Sequence, residues 1–252
     1  MPARRTDVRG LSERPFFLVT CEHGGNRVPP ELAAIFEGCD ALLQSHRGLD
    51  LGAALLAQEM ARALDAVAII ATTSRLVVDL NRSPGHPGLF SEPMRCASTT
   101  LREQTLVRHY RPYRQQVETL VTKNLATGRQ VIHISSHSFT PNLDGRERAA
   151  DIGLLYDPGR AGEVPLARAW LSALRRHAPE LTVRRNFPYR GKSDGFCTYL
   201  RRQHPEERYI GIELEVNQKH VIANGPSWPA LRRTVVASLL EATASAGGEA
   251  LP

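Results

Sequence analysis

The chain has 252 residues, 42% apolar and 23% charged, with a formal net charge of +6 and an isoelectric point near 9.4. That composition is ordinary for a globular protein, and the length can bury a sizeable core within a single domain spanning 1–252. No apolar run approaches the ~18 residues that a membrane-spanning helix needs, which leaves no membrane partner in view.

The basic residues are scattered, as in Arg62, Arg108, Arg111, Arg114, Arg175 and Arg176. Without a basic tail or aromatic platform, they argue for a solvated surface and against nucleic acid as a partner. A basic cleft would suit a small anionic substrate. Met1 to Asp7 lacks the apolar core of a signal peptide, so a cytoplasmic protein with frayed ends at 1–14 and 246–252 is expected. Cys21, Cys39, Cys96 and Cys197 form no Cys-x-x-Cys pair and read as free thiols. Glu22 beside Cys21 raises rather than lowers a thiol pKa, which argues against a cysteine nucleophile.

Strand and helix signals alternate along the chain. Phe16–Thr20 reads as a buried strand, and Gly24-Gly25 then predicts a tight turn that presents His23 at the strand's carboxyl end. A two-turn helix follows up to Phe36. Asp50 stands at the N-cap of a helix over 51–64. Strands are predicted at 67–71 and 75–80, and a loop over 83–97. A helix over 101–125 should be kinked or interrupted by Pro112. Strands follow at 131–135 and 153–156, then a helix over 166–177 and a brief strand at 182–184. A loop over 186–194 precedes a strand at 209–216, and Ser227 starts a last helix running through Ala242. The alternation predicts an α/β layer architecture.

Several polar residues end these strands. His23 and His137 each sit among small residues that leave room for a ligand, and imidazole is the commonest ligand of a catalytic divalent metal. His133 shares a strand face with Ser135 and His137 and competes as a ligand, but it lies within the apolar run. The nearby carboxylates are Glu22 and Asp50. Asn81-Arg82 offers an amide and a planar guanidinium suited to a substrate carboxylate. Glu213 and Glu215 share one face of an otherwise apolar strand, where a carboxylate needs a partner or a task such as general-base catalysis. Arg190, Lys192 and Asp194 lie in a loop that could close over a substrate.

Cys21-Glu22-His23-Gly24-Gly25-Asn26, Gly48-Leu49-Asp50, Ser74 to Arg82 with its Asp79-Leu80-Asn81-Arg82 ending, Ser136-His137-Ser138 and Glu213-Leu214-Glu215 occur in the order found in N-formylglutamate amidohydrolases. From about Phe17 to the last helix the chain resembles that family, part of a wider group of zinc carboxypeptidase-like hydrolases. The resemblance implies a mixed, mostly parallel sheet with helices on both faces and a zinc-dependent deformylase of N-formyl-L-glutamate. It implies zinc or another divalent metal on His23, Asp50 and His137, with Glu215 as base. Asn81, Arg82, Arg75 and Lys192 would bind substrate, and Arg82 would take part in catalysis. In the wider group the metal motif is His-x-x-Glu, and here its fourth position is Asn26. Arg27–Leu49 is therefore read as an insertion, after which Asp50 takes the glutamate's place. A peptide or cell-wall amidase, or a binding protein on the same fold, would fit the same motifs.

Overall fold

The computed structural model describes residues 14–223 and 227–246. Most of the frayed ends expected at 1–14 and 246–252 lie outside the described residues. The chain opens with β1 (Phe16–Cys21), a 3-10 turn (Pro30–Phe36), α1 (Asp40–Gln44), α2 (Ala53–Leu64) and β2 (Val67–Ile70). Next come α3 (Glu92–Arg95), α4 (Thr99–Thr105), a π turn (Leu106–Tyr110) and α5 (Arg111–Ala126). The middle of the chain holds β3 (Val131–Phe139), the small hairpin β4 (Asn142–Leu143) and β5 (Arg146–Glu147), β6 (Ile152–Leu155) and α6 (Glu163–His177). The remainder is β7 (Val183–Arg185), α7 (Phe196–Gln203), β8 (Tyr209–Asn217), α8 (Lys219–Ile222) and α9 (Ser227–Ala246).

Six strands form one sheet in the order β2-β1-β3-β8-β6-β7. All neighbours pair in parallel except β6 against β8. One face is mostly aliphatic: Val19, Ile132, Ile134, Ile212 and Leu214 pack against α2, α6 and α9, while Ser136 and Ser138 on the same face donate to Ala53 O and Leu51 O. The other face changes along its length. Its start is apolar, with Leu18, Val131 and Tyr209 packed against Val117, Val121, Phe196 and Leu200 of α5 and α7. Toward the carboxyl ends of β3 and β8 the same face carries Ser135, His137, Glu213 and Glu215. The alternating sequence signals predict the α/β layering, and the mixed, mostly parallel sheet with helices on both faces is what the family resemblance implies.

Two local readings need correction, and a third is made specific. Residues 75–80 form no strand: Val77 N–H bonds Ser74 O and Asp79 N–H bonds Leu89 O, so the segment turns. Its buried Leu76, Val77, Val78 and Leu80 fill a satellite core with Leu32, Phe36, Leu89 and Met94. A short apolar run does not distinguish that role from a strand. Within 83–97, Pro93 stands in the first turn of the short α3. The interruption expected at Pro112 is the π turn, where Arg111 N–H reaches back to Leu106 O.

Gly24 and Gly25 act through close approach rather than a positive φ. A Cβ on Gly25 would lie 2.4 Å from Thr72 O, and one on Gly24 would lie 2.7 Å from an Ile70 methyl. Only glycine lets the chain after β1 lie against residues 70–72, where Arg27 N–H bonds Thr72 O.

Candidate metal and substrate site

His23 follows β1, and its carbonyl accepts the Asp50 N–H at 2.9 Å. That bond draws Asp50 under the carboxyl ends of the strands. Asp50 is not the helix cap: α2 is preceded by Gly52 with φ 78, and no side chain caps it. The Asp50 carboxylate points at two rings instead, with Oδ2 3.3 Å from His23 Nδ1 and 2.9 Å from His137 Nδ1. His137 lies within β3, which runs to Phe139 rather than ending at Ser135, because pairing with β8 continues to Asn217. One ligand atom from each of His23, Asp50 and His137 falls within 4.8 Å of the others, and all three residues are buried.

Each ring is backed by a second carboxylate. His23 Nε2 is 2.7 Å from Asp79 Oδ1, and His137 Nε2 is 3.1 Å from Glu22 Oε2. These contacts turn both Nδ1 atoms inward, toward the place where a metal ion would sit. Glu22 is further held by the hydroxyls of Ser135 (2.6 Å) and Tyr113 (3.1 Å). Burial would raise the Glu22 pKa, but His137 and Ser135 outweigh it and hold the carboxylate well below its usual range. Burial likewise opposes ionisation of Asp50 and Asp79, and the rings and Arg75 overcome it. For His137, Asp50 and Glu22 outweigh burial and raise the imidazole pKa well above its ordinary value.

Two histidine nitrogens and one carboxylate, with room beside them, are the donor set of a catalytic zinc site with an open position. The residues present therefore fit a divalent ion. The other two ligand candidates are occupied elsewhere: Asn26 Nδ2 donates to Leu43 O, and Glu22 stands behind His137. His133 is a satisfied core histidine, with Thr20 Oγ1 at 2.8 Å and Tyr209 OH at 2.7 Å on its two nitrogens.

The group opens into a cavity of about 340 Å³, which Asn81, Arg82, Glu213 and Glu215 also line. In the β3–β8 register Ser135 faces Glu213 and His137 faces Glu215. β8 is a central strand, so its carboxylates do not project from a solvated edge. Burial pushes the Glu215 carboxyl up to about 8, and its Oε2 is buried without a partner among the described residues.

Asn81 and Arg82 are fixed by their surroundings. Asn81 Oδ1 accepts the Phe196 N–H at the start of α7, and Arg82 Nη1 donates to Asp194 O at 2.8 Å. Arg82 O accepts from Tyr110 OH at 2.7 Å, and Leu80 O accepts from Arg114, whose guanidinium lies 3.9 Å over the Phe196 ring. The π turn thus supplies Tyr110 and introduces the helix that carries Arg114.

Two residues expected to bind substrate are engaged by carboxylates, although Arg75 also lines the cavity. Arg75 bridges Asp50 (3.3 Å) and Asp79 (2.7 Å), so its charge is matched within the ligand group. Lys192 is exposed, pairs with Asp157 at 3.5 Å and does not line the cavity. The roles of Asp79 and Glu22 were missed in the sequence; a carboxylate next to each motif was the only available signal.

If Asp79 and Glu22 set the orientation of the rings, Asp79→Asn and Glu22→Gln should each weaken metal binding about 10–100-fold. Competition against a chromogenic chelator would measure this, with circular dichroism confirming the fold. Wild-type affinity in both variants would remove the carboxylates from that role.

A family model described as N-formylglutamate amidohydrolase matches residues 16–222. The structure of the gene product Atu2144 from Agrobacterium tumefaciens is 28% identical, with a TM-score of 0.78 and 92% of each chain covered. The N-formylglutamate amidohydrolase of Ralstonia eutropha JMP134 shares the fold at 19% identity, with a TM-score of 0.63, covering 92% of this chain and 94% of that one. A search of curated proteins finds no match. Because the model spans β1 through α8, which between them supply each residue of the cavity described above, the chain belongs to the N-formylglutamate amidohydrolase family.

Proposed function

We propose that the protein is a metal-dependent amidohydrolase acting on an N-acyl amino acid, with N-formyl-L-glutamate as substrate and zinc as the metal. The observation that carries this reading is the convergence of His23, Asp50 and His137 in the floor of a cavity that also presents Arg82 and Glu215. A divalent ion held there would supply Lewis acidity to the acyl carbonyl and the attacking water.

Arg82, with Asn81 beside it, binds the α-carboxylate of the substrate and sets the scissile amide over the ligand group. Glu215 Oε2 takes a proton from the attacking water. As the C–N bond breaks, Glu215 returns that proton to the departing nitrogen. The products are then formate and L-glutamate.

The test is a panel of N-acyl amino acids assayed with zinc added and with zinc chelated, reading formate or other acid release together with bound metal. Turnover of N-formyl-L-glutamate that chelation removes and zinc restores is the expected result. Turnover of peptides or cell-wall fragments in its place would reassign the substrate, and no turnover on any member would reject the enzyme.

A further inference from the structure

The cavity holds two guanidinium groups that no carboxylate matches among the described residues. Arg82 donates to the Asp194 carbonyl but enters no ion pair, and Arg190 lines the same cavity without one. Of the other ionisable groups lining the cavity, Glu213 reaches Arg201 at 3.9 Å, and Glu215 is the proposed base, with no partner on its Oε2 among the described residues. Arg75 is shared by Asp50 and Asp79, the Asp194 carboxylate is bonded by Ser83, and Lys192 is turned to Asp157.

Arg190 stands on a loop that is fixed on both sides. Asn186, with φ 51, accepts the N–H groups of Tyr156 and Gly191 on one side-chain oxygen, at 3.1 and 3.0 Å. A Cβ on Gly191 would fall 2.3 Å from Tyr156 O, so only glycine permits this approach. Buried Arg201 donates to Gly191 O, and Asp194 accepts from Ser83 N–H at 3.0 Å. The loop therefore carries the Arg190 Cα at a set place on the rim, and the guanidinium needs only rotamer choice to engage a ligand.

We propose that Arg190 is the specificity-determining residue of this site: it binds the side-chain carboxylate of a dicarboxylic N-acyl amino acid while Arg82 holds the α-carboxylate. The proposal rests on the amidohydrolase reading above. Two unmatched cations in one partly enclosed cavity are neutralised by a dianion, and bidentate pairing fixes both ends of it. A substrate with an uncharged side chain leaves Arg190 in water and gains nothing from it. Selection therefore falls on the second carboxylate rather than on the formyl group.

Arg190→Gln separates the possibilities. The expected result is a KM for N-formyl-L-glutamate raised about 10–100-fold with kcat held, the loss of one charge-assisted contact. N-formyl-L-glutamine, which lacks the second charge, should show unchanged constants. Lys192→Gln, two residues along the same loop, should leave both substrates unaffected. Calorimetry on the metal-free protein gives a reading independent of turnover: wild type should prefer N-formyl-L-glutamate over N-formyl-L-glutamine, and Arg190→Gln should lose that preference.

Equal shifts for both ligands in Arg190→Gln, or no preference in the wild type, would overturn the assignment. If neither compound is hydrolysed yet the calorimetric preference is present and depends on Arg190, the dianion subsite stands and the amidohydrolase reading falls.

Discussion

Glu215→Gln is expected to retain its metal and lose about 10²- to 10⁴-fold in kcat, the range that a positioned general acid–base supplies. The amide matches the carboxylate in shape but cannot take a proton. The effect is local because Glu215 does not belong to the His23, Asp50 and His137 group, and its Oε2 has no partner to lose among the described residues. Elemental analysis should find metal as in the wild type, and Tm should hold or rise, since an unpartnered buried carboxyl is replaced. The pH profile is a second check. Burial raises the Glu215 carboxyl to about 8 in the metal-free site, and a bound cation would pull it down. The acid limb of kcat/KM should therefore fall as pH drops through the metal-loaded pKa, because the base becomes protonated. Glu215→Gln should lack that limb. A variant that keeps wild-type kcat with the limb intact would assign the base elsewhere.

His137→Ala is expected to remove both the metal and the activity. It deletes one of the two imidazole donors, and it also strips Asp50 and Glu22 of the ring between them. Breaking a buried pair by removing one partner is destabilising by about 3–5 kcal/mol, partly offset here as the carboxylates protonate. A fall in Tm is therefore expected beside the loss of metal. His137→Gln separates the two effects, since an amide still answers the carboxylates but is a poor zinc ligand. It should fold with a smaller loss of Tm, bind no zinc in dialysis and show no zinc-dependent turnover. A His137→Gln protein that held zinc as tightly as the wild type would exclude His137 as a ligand.

Much of the fold was legible because its strands are long apolar runs broken by Gly, Pro and charged residues, as at Phe16–Cys21 and Tyr209–Asn217. The site was legible where one residue type at a strand end implies chemistry: His23, His137, Asn81-Arg82 and Glu215 came into view singly, and the structure brings them around one cavity. Asp50 stood beside Glu22 as a candidate carboxylate, and the choice between them came from asking what replaces the carboxylate missing at Asn26. Other features depend on contacts that no local pattern encodes. Asp79 and Glu22 acquire their place from the far nitrogen of a ring supplied by another segment. Lys192 and Arg190 are near neighbours in a loop, and only the fold decides which faces the cavity. α7 has Phe196 and Leu200 at helical spacing, but the glycine- and proline-rich approach to it hid the start. The 75–80 segment shows the converse, an apolar run whose burial in a satellite core mimics a strand.

The pairing of β3 with β8 has a bearing on how the protein is prepared. His137 and Glu215 share a face because their strands meet in a single register, from Val131 opposite Tyr209 to Phe139 opposite Asn217. A slip of β3 by one residue would send His137 to the opposite, mostly aliphatic side. Such a chain would retain much of its secondary structure and look acceptable by circular dichroism, yet it would lack one of its ligand donors. Metal uptake at the proposed site would then serve as a proofreading assay for refolded material, reporting whether segments as far apart in sequence as β1 and β3 have come together in the right frame.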